Sequence, residues 1–154
     1  MAWTNSKAFA RYVLVASNRA LAYNLSTDAY KVALYSTTGT PDNTVTTDAL
    51  TQYNGVASQW VVANEITGTN WAAGGVALSG VTVVQSVANV TFTATATSVA
   101  NVTVAATFGC LVYDTTVAGN QGVAYLYFGG TQSVTAGTFT ITYNASTGII
   151  QFQC

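Results

Sequence analysis

The stretch Gly122–Tyr143, GVAYLYFGGTQSVTAGTFTITY, alternates strictly along most of its length. Val123, Tyr125 and Tyr127 alternate with Ala124, Leu126 and Phe128; Phe139, Ile141 and Tyr143 alternate with Thr138, Thr140 and Thr142. Period-two alternation of β-branched and aromatic residues marks strands, and threonines opposite large apolar groups mark a sheet with one face in a core. Gly129-Gly130 interrupts the first run, and Ala136-Gly137 stands where the chain is expected to reverse into the second, since glycine takes a positive φ without penalty. The stretch therefore predicts two strands and a turn region. None of its side chains is a ready nucleophile or base.

The same signal recurs on both sides. YKVALY at Tyr30–Tyr35 reads as a strand, with Lys31 expected near an edge or end. Val90, Phe92, Ala94 and Ala96 alternate with threonines, Val102 and Val104 continue the pattern, and Cys110-Leu111-Val112-Tyr113 extends it. Val76–Leu78, Val81–Val84 and Gly148–Phe152 supply shorter strands. Residues Ser6 to about Asn24 carry helical spacing, with Phe9, Val13, Ala16 and Ala20 on one face and Asn5 or Ser6 as N-cap. Leu50–Ala63 reads either as a short helix or as irregular chain. The expected architecture is a mainly β single domain over 1–154: one N-terminal α-helix over about 6–24, then an antiparallel β-sandwich or barrel-like domain over about 30–152.

Charge narrows the function. Only 6% of the residues are charged, against about a quarter in an ordinary soluble domain, and the net charge is −1. Thr, Ser, Asn, Gln and Gly replace the missing ions. Such a surface suits either a β-rich protein with a threonine coat or a subunit covered by neighbours, because little self-repulsion keeps copies apart. No electrostatic footprint for nucleic acid exists; Lys7 and Arg11 fall on one face at helical spacing with Arg19 nearby, a patch as small as a solvated helix face. No apolar run is long enough to span a membrane as a helix, and Tyr12–Ala16 is too short for the apolar core of a secretion signal. Cys110 and Cys154 set no disulfide framework, and a bridge between them stays open.

The chain holds no histidine, so the commonest general base and metal ligand is missing. Asp28, Asp42, Asp48, Glu65 and Asp114 fall mostly in separate predicted turns, where aspartate is a turn former. Asp42 and Asp48 are the one close acidic pair, without the spaced oxygen ligands of a calcium loop. Glu65 is placed to cap nearby backbone amides. No phosphate loop or dinucleotide fingerprint appears. These absences predict no catalytic residues, no cofactor and no metal. Trp3, Phe9, Tyr12, Trp60 and Trp71 are the large aromatic candidates for interface contacts, with core anchoring as the alternative for the tryptophans.

Several motifs in order carry a resemblance. Lys31–Ser36 (KVALYS) is followed by a Thr/Pro/Asp loop. Asn64–Gly68 (NEITG) leads into Trp71–Leu78 (WAAGGVAL). Leu111–Asp114 (LVYD) precedes Tyr127–Gly130 (YFGG) and Ser133–Ile141 (SVTAGTFTI). In this order and spacing, over about residues 6–152, the chain resembles a family of small virion proteins of tailed bacteriophages, whose members are known as head decoration or as minor tail and fibre proteins. The resemblance implies a non-enzymatic structural protein of the virion, made in the host cytoplasm. Its expected seat is the capsid exterior, where the major capsid protein is the partner and local three-fold positions suit a homotrimer. A minor tail or tail-fibre component is the alternative within that class. A carbohydrate-binding module using exposed aromatics is the alternative outside it.

Overall fold

The computed structural model describes residues 5–17, 22–39 and 41–153; Trp3, Arg19, Ala20 and Cys154, named above, lie outside them. The chain is mainly β, with antiparallel sheets in a sandwich-like pair and, among the described residues, one helix of more than a single turn. In chain order the elements are β1 (Lys7–Ala8), α1 (Ala10–Ser17), β2 (Tyr30–Tyr35), α2 (Asp48–Thr51), β3 (Glu65–Ile66), β4 (Val76–Ala77), β5 (Thr82–Ser86), β6 (Asn89–Thr93), β7 (Thr97–Asp114), β8 (Gly122–Ile141) and β9 (Ile150–Gln153), with a 3₁₀ turn at Val62–Asn64. The six-stranded sheet runs β1-β8-β7-β2-β3, with β4 also on β2, and the three-stranded sheet runs β5-β6-β9.

The opening stretch is where expectation and structure part. Gly122–Ile141 is one strand of 20 residues, and Ala136-Gly137 reverses nothing. It pairs along its whole length with β7, from Tyr113↔Gly122 to Thr97↔Ile141. Residues with positive φ sit where the register slips: Gly129 (80°), Gly130 (157°) and Ala136 (49°) on β8, Asn101 (55°) and Ala106 (56°) on β7. An extra residue opposite one partner bends a strand without ending it. The backbone freedom read as a turn is used for bulges, because β7 offers a continuous ladder that holds β8 through each irregularity.

Alternation itself survives. Phe139, Ile141 and Tyr143 are buried while Thr138, Thr140 and Thr142 are exposed. At the hairpin end of the ribbon, Gly109–Asp114 and Gly122–Tyr125 are buried throughout, which marks this half as central.

The N-terminal helix is shorter than its periodicity suggests. Lys7 and Ala8 pair with Tyr125 and Ala124, the Phe9 N–H donates to the Val123 carbonyl (3.0 Å), and the Ser6 hydroxyl accepts the Tyr127 N–H (2.9 Å) instead of capping a helix. The edge of β8 offers these residues a ladder, and tertiary pairing overrides local helix propensity. Lys7 and Arg11 consequently share no helix face. Of the two places expected for Lys31, an edge or an end, it takes the end: it is the second residue of β2 and pairs with Tyr113 on β7 and with Ala77 on β4, so β2 is covered on both sides.

Aromatic packing joins the layers. Phe9 meets Trp60 (6.0 Å between ring centres) and Tyr125 (5.7 Å), Tyr35 meets Trp60 (5.0 Å), and Trp71 meets Phe139 (5.6 Å). Tyr30 of β2 against Phe92 of β6 (5.0 Å) ties one sheet to the other.

Candidate functional site

Four of the aromatic candidates are inside the chain's own core: Phe9, Trp60 and Trp71 are fully buried and Tyr12 is 2% exposed. They reach no surface, so the role of contacting a partner does not fall to them. Large rings bury the most area per residue, and here they pack on strands of the larger sheet, Trp60 against Tyr35 and Tyr125 and Trp71 against Phe139.

The acids are likewise engaged internally. Asp48 receives Arg11 in a two-pronged pair, Nε to Oδ1 at 2.7 Å and Nη2 to Oδ2 at 3.1 Å. Asp42 accepts the backbone N–H (2.8 Å) and hydroxyl (2.6 Å) of Thr44, and these bonds hold its carboxyl below the usual range. The close acidic pair of the sequence is thus divided between separate partners. Glu65 does cap: its Oε2 accepts the Gly74 N–H (3.0 Å) and the hydroxyl of Tyr53 (2.8 Å), whose ring stacks on that of Tyr113 (4.4 Å). Burial still raises the Glu65 carboxyl above its ordinary value, since the two hydrogen bonds offset desolvation only in part.

Asp114 is the most perturbed carboxyl. Burial pushes it up from 3.8 to about 6, with Asp28 adding to the rise, while the N–H groups of Thr116 (2.8 Å) and Val117 (3.2 Å) on Oδ1 pull the other way. A buried acid with such a shift is a functional candidate in general. Here Asp114 is 0% exposed and forms the first turn of the β7–β8 hairpin, which closes it to a substrate. Among the described residues no three His, Cys, Asp or Glu side chains gather as a metal would require. Cys110 is buried and free, and burial raises its thiol.

The surface feature that stands out is a gap of ≈ 900 Å³ between β8 and the entry to β9. Tyr127, Phe128 and Thr138–Tyr143 line one side and Gly148, Ile149 and Gln151 the other, with Gln132 and Asn144 contributing amides. No acidic or basic side chain lines it. Beyond the pairs that β1 makes with Tyr125 and Ala124, β8 has no strand on its outer edge among the described residues. On the smaller sheet, β5 is an outermost strand, and Val84 (53% exposed) and Val87 (96%) stand out on its hairpin.

A charge pattern underlies this surface. From Ile66 to the last residue the only charged side chain is Asp114, and it is buried. The β5–β6–β9 sheet and the outer half of the ribbon therefore expose no ion among the described residues. Sequence reading singled out none of Tyr127, Phe128, Gln132 or Gln151 as site residues; the usable signal was the absence of charge across the whole second half.

No family model, curated protein or solved structure matches this chain.

Proposed function

We propose that the chain is a non-enzymatic structural subunit of a tailed-phage virion, a head decoration protein that seats on the capsid exterior and works as an oligomer, with a trimer as the form that fits local three-fold positions. The observation that carries this reading is the uncharged surface of the second half, where the single charged residue beyond Glu65 is buried. A free monomer gains solubility from charge, and a subunit covered by neighbours has no need of it. The motif resemblance supplies the virion.

The mechanism is surface burial. Each copy bridging lattice subunits contributes about 25 cal/mol per Å² of apolar area, less the cost of association, and a stable seat needs on the order of 1,000 Å². Neutral hydrogen-bonding groups desolvate at less cost than ions. The acids described above are engaged in turns, a backbone cap and the Arg11–Asp48 ion pair, which supports a role without catalysis.

The test is a reconstruction of purified particles with copies counted. Many copies over the head surface are expected. Density for this chain confined to the tail would overturn the decoration reading in favour of a tail or fibre part, and its absence from particles would overturn both.

A further inference from the structure

We propose that β5 of one copy pairs with the open outer edge of β8 in the next copy, so that each chain presents one strand edge and receives another. This rests on the oligomer in the reading above and names the surfaces that build it.

An unpaired strand edge is a template for another strand, and natural proteins blunt such edges with lysines, prolines or bulges. Neither β5 nor β8 contains a charged residue or a proline. Bulges do interrupt β8, but only as far as the Val102↔Gly137 to Val99↔Phe139 step. Beyond it Val99↔Phe139, Ser98↔Thr140 and Thr97↔Ile141 follow without a slip. This regular segment, Thr138–Ile141, lines the gap together with Leu126–Phe128 and Gln132–Val134 of the same strand. The β5 ladder on β6 is regular throughout, from Thr82↔Thr93 to Ser86↔Asn89.

The two edges match in chemistry. The gap has no ionic group to be desolvated, and β5 brings none. Val84, at the centre of β5, is 53% exposed and needs cover; Thr140, on the gap wall, faces solvent with its hydroxyl 2.9 Å from that of Ser98. Aligning Val84 with Thr140 sets a β-branched pair across the new ladder, a favourable neighbour type. Because donor and acceptor are different surfaces of one molecule, the contact is head-to-tail, and head-to-tail contacts close into rings when the rotation permits. A β8-to-β8 contact would leave Val84 and Val87 uncovered.

Sedimentation of the full-length protein over a wide concentration range tests the pairing. Val84→Lys and Thr140→Lys replace exposed residues, so strand content and melting temperature of the dilute protein are expected to hold. Each is expected to weaken association by about tenfold or more. The double variant Val84→Glu with Thr140→Lys is expected to recover association, which a general loss of fold would not allow. Should Thr140→Lys fail to fold, amide exchange of residues 138–141 in the wild-type oligomer decides instead, with protection over the monomer expected. The proposal is overturned by a wild-type monomer at every concentration, including one whose gap takes up maltohexaose. It is also overturned by Val84→Lys associating like wild type, the result a β8-to-β8 contact gives. A particle-borne chain indifferent to these variants would refute this pairing and leave the virion reading standing.

Discussion

Phe139 and Thr140 are neighbours with opposite environments. Phe139 is 9% exposed and packs on Trp71 and Phe128, while the side chain of Thr140 faces solvent. Removing the ring leaves a cavity, and Phe139→Ala is expected to cost about 3–5 kcal/mol in urea unfolding. Thr140→Ala in dilute protein is expected to cost less than ~1 kcal/mol; equal losses would contradict the facing. Asp114 gives a pH signature. The folded chain keeps its proton up to about pH 6, whereas the unfolded chain releases it near 3.8. The folded state thus binds more protons in that window, so this residue makes stability fall as pH rises through it. Glu65 contributes with the same sign and Asp42, whose carboxyl is lowered, with the opposite one. Asp114→Asn removes the ionisation while leaving an oxygen for the Thr116 and Val117 amides. The variant's melting temperature is expected to exceed the parent's by more at about pH 7 than at about pH 4; parallel curves would show that Asp114 is not the perturbed group.

The long ribbon of β7 and β8 depends on its bulges. Nothing lies within 4 Å of a Cβ built on Gly129, so Gly129→Ala meets no clash; the left-handed backbone at φ 80° costs about 1–2 kcal/mol, offset in part by alanine's smaller unfolded-state entropy, for a net loss of about 0.5–1 kcal/mol. Ala136 already bears that strain at φ 49°. Ala136→Gly relieves it against the larger entropy of an unfolded glycine, for a net gain of about 0.5–1 kcal/mol. Chemical denaturation of both variants should therefore move in opposite directions. The ladder has its own test: with Ser98→Cys and Thr140→Cys together, a disulfide is expected on mild oxidation, because those hydroxyls lie 2.9 Å apart across the strands. A reversal at Ala136-Gly137 would not bring that pair together.

Across the whole molecule the uncharged half predicts how association responds to salt. Screening weakens attraction between exposed ions and has nothing to act on where none exist. Sedimentation at low and high salt is expected to give dissociation constants within about twofold of each other. A steep salt dependence would place Lys7, Arg11 or Lys31 in the contact and move it away from β5 and β8.

Some of this was written locally. The strand at Tyr30–Tyr35 and the two faces of Phe139–Tyr143 were legible because side chains two apart share a face whatever the partner strand is. The absence of a histidine and the even scarcity of charge were plain from composition, and Glu65 as an amide cap followed from its place beside turn glycines. Other features depended on distant partners. Lys7–Ala8 became a strand because Ala124 and Tyr125 offered an edge, and Gly129, Gly130 and Ala136 became bulges because β7 ran on beside them. Trp60 and Trp71 went inward because rings from distant strands, Tyr35 and Tyr125 around one and Phe139 against the other, close on them, and the gap beside β8 exists because β9 belongs to the other sheet. Alternation is a property of one strand and can be read from it; which edges find partners is a property of pairs, set only when strands far apart in sequence meet.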